Sequence, residues 1–185
     1  MKFRALSLVI IFLSLIPRLS YAEEVKPEGK GKAMKIIVTS RAFKDGGMIP
    51  DKYSGRGEDI SPPISWSMIP KGAKSVALIC DDPDAPTKVW VHWVIFNIPP
   101  DEGGIAENRP KKEELSKGAL QGLNSSGLIG YEGPFPPSGV HRYYFRVYAL
   151  DTMLDLEGGI TREDLDKAME GHILGTGELM GKFER

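Results

Sequence analysis

Three long stretches of the chain read as strands, two of them apolar on both faces. Residues 74–81, "KSVALICD", and residues 89–98, "VWVHWVIFNI", are apolar at both odd and even positions. A strand that is apolar on both faces belongs in the middle of a sheet covered on two sides. The third long strand is residues 141–151, "HRYYFRVYALD", and shorter strand signals sit at residues 34–40, "MKIIVTS", and 64–68, "ISWSM", ahead of Pro70. Between these last two lies a long turn-rich loop, "DGGMIPDKYSGRGEDISPP". One helix is marked. Thr161 caps its start with Asp164 three residues on, Ile160 and Leu165 are spaced as a hydrophobic staple, Leu165, Ala168 and Met169 keep helical spacing, and Gly171 ends it. The following "HILGTGELMGKF", with its β-branched start and glycines, suits a strand. Several strands, one late helix and many turns predict a mainly β fold, a β-sandwich with a few short helices, in preference to a parallel α/β sheet. There is no internal repeat.

The chain's first residues stand outside this pattern. Lys2 and Arg4 form a basic start, residues 5–16 are uncharged and apolar, and Ser20 to Ala22 make a small-x-small cleavage pattern. The apolar run stops at Pro17 and Arg18, short of the roughly 20 residues a membrane-spanning helix needs. This predicts a secretory signal peptide over 1–22, a charged, Gly-rich flexible leader over 23–33, and one domain over 34–185, exported across the inner membrane to the periplasm. No cysteine follows the cleavage pattern, so no lipoprotein anchor is expected.

Composition narrows the function classes. The formal charge is −1, and removing the first 22 residues takes away three cations and no acids. A mildly acidic domain lacks the basic footprint of a nucleic-acid binder. Cys80, the chain's one cysteine, lies inside an apolar strand with no cation beside it and reads as a small core hydrophobe. The 21 glycines and 14 prolines imply long, shaped loops, where a site is expected.

Three ionisable groups stand among apolar neighbours: Asp82 at the end of one strand, His92 within the next and His141 at the start of the third. A two-residue period puts His92 on one face with Trp90, Val94 and Phe96, and His141 with Tyr143, Phe145 and Val147. A lone strand histidine is most often held by backbone groups, and His172, after the helix stop, has only that reading. The loop before His141, "GYEGPFPPSGV", adds to the picture. Gly130, Gly133 and Gly139 allow close backbone approach or an anion-binding nest, and Pro134, Pro136 and Pro137 fix its shape. Three chemistries fit these residues: a metal held by Asp82, His92 and His141; a hydrolase with Ser54, Ser61 or Ser138 as nucleophile; or an anion pocket. Neither a close His pair nor a G-x-S-x-G elbow supports the first two. In the third, Asp82 favours a protonated imidazole or accepts a hydrogen bond from a monoprotonated phosphate.

Four motifs occur in one order: "SPPISW" at 61–66, "DPDAP" at 82–86, W-x-H-W at 90–93 and "GYEGPFPPSGVHRYYF" at 130–145. Together they resemble the phosphatidylethanolamine-binding protein family, in its bacterial branch of Raf-kinase-inhibitor-like proteins, from about residue 34 to the C-terminus. The resemblance implies two antiparallel β-sheets with a few short helices and a small surface pocket for phosphate-like anions. It places Asp82, Trp90, His92, Tyr131, Gly133, Phe135, Pro136, His141 and Tyr143 in that pocket, and a cis peptide at Ala85–Pro86. The chain departs from the family pattern in two loops, with "YSGRG" carrying Arg56 where a cysteine is usual, and "NSSG" at 124–127. The C-terminal "GELMGKFER" does not match the helix that eukaryotic members use for partner regulation. The resulting expectation is an exported binder of a phosphoryl or carboxylate anion, without cofactor, metal or catalysis. The alternatives are a metal- or serine-dependent hydrolase and a protease or kinase inhibitor acting by protein contact. A protein partner and a homodimer stay open.

Overall fold

The structure is a computed structural model that describes residues 33–185; the expected signal peptide (1–22) and all but the end of the expected leader (23–33) lie outside the described residues. Its strands are β1 (Met34–Lys35), β2 (Ile37–Thr39), β3 (Ile64–Ser67), β4 (Ser75–Asp82), β5 (Trp90–Ile98), β6 (Gly104–Ile105), β7 (Leu120–Gln121), β8 (Val140–Leu150) and β9 (Ile173–Glu184), with one helix, α1 (Arg162–Met169), before β9. Single 3₁₀ turns occupy Asp51–Tyr53, Pro100–Glu102 and Ser116–Gly118. The strands form a six-stranded sheet in the order β1-β9-β8-β4-β5-β7 and a three-stranded sheet, β2-β3-β6. The fold is therefore the expected mainly β sandwich. The larger sheet is mixed, because β1 runs parallel to β9.

The first strand signal, residues 34–40, divides between the two sheets. Met34 and Lys35 pair with β9, the backbone N–H of Ile36 donates to Thr176 O at 2.8 Å, and Ile37 to Thr39 then pair with β3. One short segment thus closes the sandwich at that edge.

The central strands behave as their patterns predict. Every residue of β4 is buried. Val76, Leu78 and Cys80 face the core between the sheets, with Trp93, Phe145 and Val147, while Ala77 and Ile79 face a second core under α1, with Leu165 and Met169. This is the two-sided cover that a run apolar at every position requires. The helix starts at a capping box: Thr161 accepts from the Asp164 N–H, and Asp164 reaches back to the Thr161 N–H. Gly171 follows it with φ +80°, the left-handed conformation that ends helices cheaply only at glycine.

Candidate functional site

Sheet order explains why three groups distant in sequence meet. In the order β8-β4-β5, β4 ends where its two antiparallel neighbours begin, so Asp82, the first residues of β5 and the first residues of β8 share one end of the sheet. Asp82 pairs with Trp90 across β4–β5, and Asp81 with Tyr144 across β4–β8.

A bulge then aims His92. Cys80 pairs with Trp93 and Asp81 with Val91, which leaves His92 as the extra residue. Such an insertion reverses the faces beyond it. Consequently Val94 and Phe96 pack under α1 with Val91, while Trp93 joins the core between the sheets and His92 meets the Tyr143 ring edge-on at 5.1 Å between centroids. The expectation that His92 shares a face with Val94 and Phe96 is corrected by this single residue. Its sharing with Trp90 stands.

The two imidazoles are oriented by fixed acceptors. His141 Nδ1 donates to Asp82 Oδ2 at 2.7 Å, and Asp82 Oδ1 accepts the Asp84 N–H at 2.8 Å. His92 Nδ1 donates to the backbone carbonyl of Glu132, also at 2.7 Å. Because a carbonyl only accepts, the proton on His92 Nδ1 is assigned by its partner. Both Nε2 atoms are thereby left for whatever occupies the cavity. Asp82, His92 and His141 are 3, 4 and 7% exposed, so these bonds work in a low dielectric.

Burial sets the charge of the site. It pushes the His92 pKa below its ordinary 6.5, against the opposing effects of the Glu132 carbonyl and the Glu132 and Asp82 carboxylates. Burial and, after it, the Asp82 charge drive the Tyr143 phenol well above its usual range, so its hydroxyl stays protonated. That hydroxyl is buried without a hydrogen-bond partner. At the rim, Asp84 is held down to about 2, chiefly by hydrogen bonds from Arg142, whose Nε and Nη2 donate to its two oxygens at 2.9 and 2.7 Å. This bidentate pair fastens the loop after β4 to β8.

The cavity these groups surround has a volume of about 300 Å³. Asp82, Trp90, His92, Gly133, Phe135, Pro136, His141 and Tyr143, all expected from the sequence, line it. Tyr131 does not. It is fully buried behind the wall, where its hydroxyl donates to Tyr53 O at 2.9 Å and its ring packs edge-on against Trp93. Gly133 earns its place by close approach: a Cβ there would lie 2.5 Å from Tyr53 O and 2.6 Å from Ser54 C. Its N–H donates to Asp59 Oδ1 at 2.6 Å and so is not part of an anion nest. Gly139, by contrast, serves a turn, with φ +67° and open space around it.

Sequence reasoning missed Glu132. It lines the cavity, accepting from Trp90 Nε1 at 3.2 Å and from Ser126 Oγ at 2.7 Å. The departing "NSSG" loop thus acts on the site, since Ser125 Oγ also accepts the Val91 N–H at 2.8 Å. Arg56 turns away, donating to Glu184 O at 2.6 Å beside the Phe183 ring. The C-terminus is strand, and Arg185 Nη1 donates to Pro137 O at 2.8 Å, bracing the proline wall. Ala85–Pro86, which line the cavity, are joined by a trans bond, the intrinsically preferred isomer, and no described residue has a cis peptide. Two of the three serines weighed as nucleophiles are buried elsewhere: Ser54 Oγ donates to Asp51 O at 2.8 Å and Ser61 Oγ accepts the Arg109 N–H at 2.9 Å. Ser138 is exposed and does not line the cavity. Among the described residues no three His, Cys, Asp or Glu side chains converge as metal ligands.

Comparison with known proteins gives concordant results. The family model described as phosphatidylethanolamine-binding protein matches residues 39–184. The chain is 61% identical over 146 residues to a UPF0098 protein of Methanothermobacter thermautotrophicus, covering 79% of this chain and 97% of the relative. It is 50% identical over 153 residues to a UPF0098 protein of Chlamydia muridarum, covering 80% and 98%. Among solved structures, a phosphatidylethanolamine-binding protein homolog from Chlamydia trachomatis superposes with a TM-score of 0.76 at 46% identity, covering 83% of this chain and 99% of that one. YbcL of Escherichia coli, described as a member of the mammalian family, gives a TM-score of 0.76 at 31% identity over 82% and 99%.

Proposed function

The chain belongs to the phosphatidylethanolamine-binding protein family, and from that premise we propose that its cavity binds a small phosphoryl or carboxylate anion. The observation that carries the reading is the pair of imidazoles, each held through Nδ1 by Asp82 or the Glu132 carbonyl and each left with Nε2 for an occupant. Held rings lose little entropy on binding, and the buried setting strengthens each hydrogen bond they make.

The charge state defines how the anion is held. With its pKa lowered, His92 is neutral near pH 7 and offers an acceptor at Nε2. The occupant then supplies the proton, as a monoprotonated phosphoryl group does, or His92 takes one up as the anion arrives. Trp90, Pro86, Phe135 and Pro136 form apolar wall for the organic part of such a ligand. Phe135 is 57% exposed, which places that wall at the mouth.

In this reading the site acts by binding, its ordered hydrogen bonds positioning an occupant. Export to the periplasm is part of the proposal, resting on the basic, apolar and small-residue segments of 1–22.

The test is an NMR titration with inorganic phosphate and methyl phosphate at pH 5.5, following the Trp90 indole N–H. A saturable shift of that resonance is expected. If phosphate, methyl phosphate and acetate all leave it unmoved, the proposal fails.

A further inference from the structure

A second cavity, of about 100 Å³, lies at the other end of β5. Ile95 and Ile98, three and six residues beyond His92, line it, so the two sites are about 10–20 Å apart along the strand. Ile95, Ile98, Ile105, Leu115 and Ala119 give it apolar wall, and Glu102, Arg109 and Ser116 add polar groups. One guanidinium, that of Arg109, enters this apolar setting.

Arg109 is unusual among the chain's described cations. Its Nε is buried with no hydrogen-bond partner, and its Nη2 has only the Ser116 hydroxyl, at 3.2 Å. Among the described residues no carboxylate forms an ion pair with it. Glu102, which also lines the cavity, is paired with Lys117 instead. The residue is nonetheless held in place. Its backbone N–H donates to Ser61 Oγ at 2.9 Å, Asn108 N–H donates to Ser61 O at 2.9 Å, and the Gln121 amide donates to Pro110 O at 2.8 Å. A positioned cation beside apolar wall, with Nε unpartnered and Nη2 held only by a serine hydroxyl, has the chemistry of a carboxylate receptor.

We infer that the Arg109 cavity is a second binding site, separate from the histidine pocket, for a short aliphatic monocarboxylate. Nε and Nη2 form one edge of the guanidinium, and a carboxylate there takes both donors in the bidentate geometry that the planar fork favours. Ser116 is exposed and rotates its hydroxyl aside to admit it. The alkyl chain packs between Ile98, Ile105 and Leu115. Size limits the class: a cavity of about 150 Å³ holds the six carbons of benzene, so this one, at about 100 Å³, encloses about four non-hydrogen atoms, the size of acetate, and the last carbons of butyrate reach its mouth. Phosphoryl groups carrying larger organic parts do not fit.

The test titrates butyrate into the protein and follows the Arg109 Nε–H resonance and the methyl groups of Ile98 and Ile105. A saturable, millimolar shift of all three is expected, with butanol and butylamine leaving them unmoved. Arg109→Gln is expected to weaken the shift of the isoleucine methyls by about tenfold or more. Ala119→Leu, which fills the cavity and keeps the cation, is expected to abolish it while phosphate still shifts Trp90. The inference is overturned if wild-type protein shows no saturable change, if the methyl shifts persist unchanged in Arg109→Gln, or if butyrate moves only the histidine pocket. Because the wild-type titration stands alone, a variant that fails to fold does not shelter the claim.

Discussion

Replacing Asp82 by Asn removes a charge and keeps the shape, so it isolates what the carboxylate does. Asp82 accepts two N–H groups, from His141 Nδ1 at 2.7 Å and Asp84 N at 2.8 Å. An amide has one acceptor oxygen. If that oxygen keeps the backbone N–H, the amide NH₂ faces His141 Nδ1, and two donors cannot meet. The ring must then move its proton to Nε2 and accept at Nδ1. Hydrogen bonds to a charged group contribute about 1.5–3 kcal/mol each, and neutral replacements about 0.5–1.5, so the net loss over two bonds is about 2 kcal/mol. For a chain of this size that lowers Tm by about 4–8 °C. Thermal melts give the stability, and long-range ¹H–¹⁵N spectra of the imidazoles give the tautomer. The account expects both changes in Asp82→Asn. A His141 that keeps its Nδ1 proton, together with a Tm within about 1 °C of wild type, would refute the claim that Asp82 orients the ring.

Three further outcomes follow from the geometry. Gly133→Ala places a methyl 2.5–2.7 Å from backbone atoms of Tyr53, Ser54 and Gly55, costs about 1–3 kcal/mol as overpacking, and weakens phosphate binding by shifting the wall; Gly139→Ala lowers stability alone, and equal effects on binding would contradict the assignment. His92 has a folded pKa below its unfolded 6.5, so the unfolded state binds more protons in the window below pH 6.5 and stability falls as pH drops through it. Urea unfolding between pH 7.5 and 5 is expected to show that slope in wild type and less of it in His92→Gln; identical slopes would sink the argument. The Cys80 thiol, buried and pushed up in pKa by burial, is expected to react with a thiol reagent at the rate of global unfolding, and rapid reaction in the native state would count against the core packing described.

How much was legible in the letters depended on whether a residue's role left a pattern. β4 and β5 announced themselves because two-sided burial demands apolar residues at every position, β8 did so as a long aromatic and β-branched run, and the convergence of Asp82, His92 and His141 follows once those strands are neighbours. The bulge at His92 inserts one residue into an already uniform run. Period-two counting therefore placed Val94 and Phe96 on the wrong face. Tyr131 carries the same letter whether its ring faces a cavity or a core, and its hydroxyl found Tyr53 O behind the wall. Glu132 was hidden for another reason: its position over the cavity depends on Ser126 and Trp90, partners six and forty-two residues away. The two-residue strands β6 and β7 are too short to carry a period at all.

The account rests on the two imidazoles holding an anion, and calorimetric titration of sulfate from pH 7.5 to 5 tests it most directly. A phosphoryl group changes its own charge near pH 6, whereas sulfate does not, so any pH dependence belongs to the protein. Affinity is predicted to rise as pH falls below the ordinary histidine range, approaching about tenfold per pH unit if one ring takes up one proton, and to vanish when His92 and His141 are both replaced by alanine. Sulfate bound equally well across that range, or bound unchanged by the double variant, would contradict the account.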